Sequence, residues 1–198
     1  MTTPIDSDRF RRAIEQFDAI NAADPHLEES DGVAYPKQLL YAQRMTAWLE
    51  RLFPDASEPL RLAARSQHIK RWEIARTVYP MDRQGYHRWR TELGRFHAEI
   101  AAQVLREVGY DAQTISRVQS LLRKERLKAD PETQALEDVI CLVFLEYYFA
   151  PFSELHEEQK LIGILRRTWV KMSPKGQQAA LALSLPPEKR QLVEKALG

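Results

Sequence analysis

The sequence predicts an all-α protein, a helical bundle with a C-terminal helical extension. Three observations point to helices. Apolar residues recur with a 3.6-residue period, glycine is scarce at 7 of 198 residues, and β-branched residues form no alternating run. Asp6 or Ser7 can cap a first helix running to about residue 23, with Phe10, Ile14, Phe17 and Ile20 along one side. Residues 24–36 hold two prolines, a glycine and four acids, and read as a loop. A second helix is predicted over 37–53, with Tyr41, Met45, Trp48 and Leu52 as its stripe and Pro54 as its stop. Ser57 can cap a third, with Pro59 in its first turn, ending near residue 68.

Residues 69–85 are the least regular stretch, broken by Tyr79-Pro80 and Gly85. A long helix then runs to Val108 on the stripe Leu93, His97, Ile100 and Val104, and Gly109 suits its C-terminal stop. Asp111 opens the next helix, whose end at Arg123-Lys124-Glu125-Arg126 reads as cations matched to the helix C-terminus. Asp130-Pro131-Glu132 caps a helix to residue 150. It carries no charge between residues 139 and 145 and should be the central buried one, with Pro151 ending it. A helix over 153–172 and two short ones, opened by Ser173-Pro174 and Pro186-Pro187, complete the chain. Residues 1–172 are thus read as one helical domain, with 173–198 as a tail packed on it.

A chain of 198 residues suits one domain, and 44% hydrophobic residues exclude a disordered one. The net charge of +1 argues against a protein held on nucleic acid by bulk charge. Cys141, the single cysteine, excludes an intramolecular disulfide and a thiolate-rich metal site. No apolar run approaches the ~20 residues needed to span a bilayer, and the polar N-terminus is not a signal peptide, so the expected compartment is the cytoplasm, with no membrane partner.

Two sets of residues could carry chemistry. His68, His97 and Asp138 occupy inward positions on three helices, and two imidazoles with a carboxylate can ligate a divalent metal ion if they converge. Between residues 65 and 95 stand eight cations against three acids, interleaved with Trp72, Tyr79, Tyr86 and Trp89. Arg65, Arg71, Arg76, Arg83 and Arg90, with Trp72 and Trp89, are candidate binders of a phosphorylated or otherwise anionic small molecule, a nucleotide first among them. The segment leaves His68 and returns to His97, and so would roof the trio. Glu73, beside Trp72, is a candidate general acid or base if the indole excludes water. His26, His87 and His156 read as surface residues. The same Arg and Trp residues would serve an RNA-binding protein, a reading the near-zero net charge disfavours.

The motifs Tyr41-Ala-Gln-Arg-Met45, Leu62-Ala-Ala-Arg-Ser-Gln-His68, His97-Ala-Glu-Ile-Ala-Ala-Gln-Val-Leu105 and Leu136-Glu-Asp138-Val occur in that order. Over residues 37–150 this pattern resembles the HD-domain superfamily of metal-dependent phosphohydrolases, which carry a His, a His-Asp pair and a distant Asp on successive helices of an all-α bundle. Tyr41 stands at the first His position and Ile69 at the Asp of the pair. The resemblance implies a metal held by His68, His97 and Asp138, with Glu73 in compensation, that activates water for phosphoester hydrolysis. The other implied outcome is a metal-free binding or adaptor module. Gln67-His68-Ile-Lys-Arg-Trp-Glu73, Arg88-Trp89-Arg90, Val118-Gln-Ser-Leu-Leu-Arg-Lys-Glu125 and Leu165-Arg-Arg-Thr-Trp169 are longer matches. They resemble a bacterial and fungal family catalogued as a domain of unknown function, number 4202.

Overall fold

The computed structural model describes residues 8–198; the expected caps Asp6 and Ser7 lie outside them. Ten α-helices form the body of the described chain: α1 (Asp8–Ala22), α2 (Lys37–Leu52), α3 (Glu58–Ser66), α4 (Arg83–Glu107), α5 (Ala112–Leu122), α6 (Pro131–Val143), α7 (Phe149–Ser153), α8 (Glu158–Lys171), α9 (Pro174–Leu181) and α10 (Pro187–Leu197). The all-α class is the observed one. No helix among the described residues is long and apolar enough to cross a membrane.

The expected loop over 24–36 is instead a two-stranded antiparallel hairpin, β1 (Leu27–Ser30) with β2 (Val33–Pro36). Its two-residue turn is Asp31-Gly32, with φ of +51° and +76°. Asp-Gly suits a turn that needs positive φ at both central residues, so the hairpin was readable in the sequence without any β-branched run. Arg44 on α2 holds the hairpin by pairing with Glu28 and donating to Tyr148 Oη at 3.0 Å.

Side-chain caps open five of the described helices, Ser173 doing so for α9. Ser57 accepts from Leu60 N, Asp82 from Gly85 N, Asp111 from Thr114 N, and Asp130 from the amides of Glu132 and Thr133. Asp82 therefore starts α4 three residues earlier than the sequence suggested, with Gly85 inside its first turn. Gly85 is required there: a Cβ would lie 2.0 Å from the Pro80 carbonyl oxygen. Gly109 ends α4 as expected, in the left-handed region, with Tyr110 N donating to Leu105 O.

α6 is the central buried helix, with Leu136, Val139, Leu142 and Val143 wholly enclosed. It does not run on to residue 150. A π-helical turn over Phe144–Tyr148 widens the chain, and the short α7 follows directly from it, with Phe149 N donating to Phe144 O. Pro151 therefore does not stop a helix. It sits inside the helical run, which continues through α7 to Ser153.

Candidate functional site

α3 ends at Ser66, and the chain turns through Gln67–Lys70 before a single 3₁₀ turn, Arg71–Glu73. Lys70 adopts φ of +52°, left-handed backbone that a lysine visits at a cost of about 1–2 kcal/mol. The turn buries Ile69 completely and brings His68 and Arg71 to the face of α4. On α4, His87, Arg90, Gly94 and His97 recur at three- and four-residue steps and line the same face. The end of α5 closes the opposite side. Gly94 faces it, with room for little more than a Cβ, which would meet Leu122 O at 3.4 Å.

α5 terminates in a Schellman motif, with Glu125 N donating to Ser120 O and Lys124 N to Leu121 O. The left-handed position, where glycine is usual, is occupied by Lys124 with φ of +56°. Lys124 reaches the buried Glu137 of α6, and Lys171 lies 3.8 Å from the same carboxyl. Burial pushes the Glu137 carboxyl up, but Lys124 and Lys171 outweigh it and hold the group below its usual range.

Between these elements lies a cleft of about 390 Å³. Five cations, Arg71, Arg90, Arg95, Arg123 and Lys124, stand on its walls against one carboxylate, Glu125. Arg123 Nε donates to Glu125 at 2.7 Å, and Lys124 is committed to Glu137. Arg71, Arg90 and Arg95 have no carboxylate partner among the described residues. Arg71 donates instead to His68 Nε2 at 3.2 Å and stacks 4.6 Å over the Trp89 ring. Burial, with the like charge of Arg90, pushes the Arg71 guanidinium down to about 10, still charged at neutral pH.

His97 forms part of the floor. Its Nδ1 is 2.7 Å from the carbonyl of Ile69 and must donate to it, which leaves Nε2 as a bare acceptor. His68 is fixed in the same way: a guanidinium only donates, so His68 Nε2 accepts from Arg71. Burial, then Arg71, lowers His97 to about 3 and His68 well below its ordinary value, so both rings are neutral. Tyr41 stacks on His68 at 4.0 Å and 15°.

The structure divides the expected residues. His68 and His97 come together, with ring centroids 5.9 Å apart, but Asp138 does not join them. It is fully buried at the start of α9, accepting from Ser173 N at 2.7 Å, from Ser173 Oγ, and from Gln134 Nε2 at 3.0 Å. Gly176 exists for this contact: a Cβ would lie 2.7 Å from Asp138 Cγ. No cluster of three or more His, Cys, Asp or Glu side chains able to hold a metal occurs among the described residues. The residues present do not fit the divalent ion the HD resemblance implies. One expected ligand is spent on a helix terminus, and His68 faces a guanidinium.

Of the expected anion binders, Arg71 and Arg90 line the cleft. Arg65 forks onto Asp18 with two bonds of 2.6 Å. Arg76 donates to the carbonyls of Tyr79 and Asp82, tying the irregular segment together. Trp89 turns inward and donates to Ile74 O at 2.9 Å, so it holds that segment from below. Arg83 and Glu73 are exposed and Trp72 is half-buried, all outside the lining, so no indole keeps water from Glu73. The expected roof over residues 69–92 is thus a strap clamped by Trp89, and only its two ends reach the cleft. Gln67, His87, Arg95, Arg123 and Lys124 were not assigned from sequence. His87, Arg90, Gly94 and His97 share one helical face, which was the available signal. The contribution of Arg123 and Lys124 depends on tertiary approach.

A family model described as "Domain of unknown function (DUF4202)" matches residues 11–193. No curated protein and no solved structure matches the chain.

Proposed function

This chain belongs to the DUF4202 family, and from that premise we propose that it binds a phosphorylated small molecule in the cleft between α3, α4 and the end of α5, without a metal ion. The observation that carries the reading is the pairing of Arg71 and Arg90. Two guanidinium groups without carboxylate partners face one concavity that is too large for water alone and of the size of a small-ligand site. Converging guanidinium groups left unpaired are stabilised by a bound oxyanion, and Arg forks onto phosphate with two parallel hydrogen bonds. Left-handed Lys70 and Lys124, each beside or on the cleft wall, add support. Strained backbone is retained where a site over-determines it.

The likeness to HD-domain phosphohydrolases supports the phosphate part of this reading and not the hydrolytic part. His68 and His97 stand around the cleft in the expected order. Ile69 stands where the resemblance expects a carboxylate, and its carbonyl anchors His97. Tyr41 replaces a histidine and serves as a stacking surface. The arrangement is a scaffold for holding an anion beside neutral imidazoles.

Thermal unfolding with phosphate, sulfate and nucleoside monophosphates, all in the presence of chelator, tests the proposal. Ligand at about 100 times Kd stabilises by about 2.7 kcal/mol, which raises Tm by about 5–10 °C for a domain of this size. Arg90→Ala should abolish the rise, and Arg65→Ala should lower Tm but leave the rise intact. A rise that Arg90→Ala retains, or no rise with any phosphate compound, overturns the proposal.

A further inference from the structure

Five buried side-chain polar atoms lack a partner among the described residues, and two of them belong to the lining of this one cleft: His97 Nε2 and Gln67 Oε1. The other three, on Arg9, Asn21 and Gln38, belong to residues outside the lining. His97 is 2% exposed and Gln67 4%. Both atoms are acceptors, His97 Nε2 because Nδ1 is committed to Ile69 O, and Gln67 Oε1 by its chemistry. A buried acceptor without a donor is costly to keep, and two on the lining of one cleft point to a donor supplied from within it.

A fully deprotonated oxyanion, such as sulfate or a phosphate ester dianion, cannot complete these two atoms, because its oxygens also only accept. The cations that would hold the negative charge are on the walls, at Arg71, Arg90 and Arg95. The cleft therefore presents donors at its sides and acceptors at its floor. Resting on the proposed anion site, we infer that the ligand is a hydroxylated phosphate ester, a sugar phosphate or the ribose-phosphate part of a nucleotide, whose hydroxyl groups donate to His97 Nε2 and Gln67 Oε1 while its phosphate lies on the arginines. The volume of about 390 Å³ accommodates a phosphate together with a polyol of this kind. A floor that demands donors also rejects bare sulfate, since a bound sulfate leaves both acceptors unpaired. Sites built to hydrogen-bond a substrate hydroxyl discriminate strongly against analogues lacking it, for this reason.

Calorimetric titration of the full chain with glycerol 3-phosphate and with propyl phosphate decides the point. The two share a phosphate and a three-carbon chain and differ in two hydroxyls. The expected result is at least tenfold tighter binding of glycerol 3-phosphate, with ribose 5-phosphate tighter than propyl phosphate by a similar or greater factor. Gln67→Met, close in size and unable to accept strongly, should erase most of that ratio. His97→Asn should do the same, and Gln67→Met carries the test alone if the histidine variant does not fold. Equal affinity for the two esters, or a ratio that Gln67→Met leaves intact, overturns the hydroxyl inference and leaves the anion site standing. Binding of neither ester overturns both.

Discussion

Lowering the pH from 7.5 to 5.0 should destabilise the protein through His97 in a calculable way. The ring is 2% exposed, and burial, then Arg71, holds its pKa at about 3, with the Ile69 hydrogen bond opposing and Arg90 adding to the depression. Unfolded, the same ring titrates near 6.5. Between these values the unfolded chain binds a proton that the native ring refuses, so stability rises with pH through the window and levels off above it. The slope is about 1.4 kcal/mol per pH unit for one such group, so at pH 5.0 the loss from His97 is about 2 kcal/mol. His68 is depressed by the same burial and by Arg71, and adds a loss of the same sign. Depressed carboxylates such as Glu137 lose their contribution only at lower pH, below their ordinary range, so the interval from 6.5 to 5.0 isolates the histidines. The assay is urea unfolding followed by tryptophan fluorescence across that interval, at low phosphate. His97→Asn should reduce the loss by about 2 kcal/mol, whatever the variant does to stability at pH 7.5. A wild-type stability that is flat between pH 6.5 and 5.0, or a variant with the full wild-type slope, would refute the buried neutral imidazole on which the cleft floor rests.

Three further outcomes separate structural roles from ligand-binding ones. Asp138→Ala should cost about 3 kcal/mol or more, because Ser173 N loses its buried charged acceptor. Proteolysis near residue 173 should accelerate in that variant while phosphate affinity is retained; loss of affinity at unchanged stability would return Asp138 to the site. Gly85→Ala places a methyl 2.0 Å from Pro80 O and should cost about 3 kcal/mol by chemical denaturation, since backbone must shift to admit it; a neutral result would mean the strap is not packed on α4 as described. Lys70→Gly and Lys124→Gly relax the same left-handed strain with opposite outcomes. The first should be neutral or stabilising by up to about 1 kcal/mol, while the second should destabilise by about 2–4 kcal/mol because Glu137 loses its nearest cation. Denaturation midpoints that move in the same direction would show the Lys124–Glu137 pair to be dispensable.

Local chemistry decided what the sequence determined alone. Helices, caps and stops follow from interactions within a few residues, so Ser57, Asp111, Asp130 and Gly109 could be placed without knowing any neighbour. The hairpin is legible in Asp31-Gly32 by the same local logic, although its strands are only four residues each and show no apolar alternation. Inward phase was correct for His97 and Asp138, both buried, but phase says only that a residue faces another element, never which one. His97 faces the α3 turn and the end of α5, while Asp138 faces the α9 N-terminus. The arginine-rich run was visible as composition, yet which guanidinium groups stay unpaired depends on partners such as Asp18, far from Arg65 in sequence. Charge along a chain is fixed by residue identity; whether that charge is spent or free is settled only when distant carboxylates are folded against it, and at Arg71 and Arg90 none is.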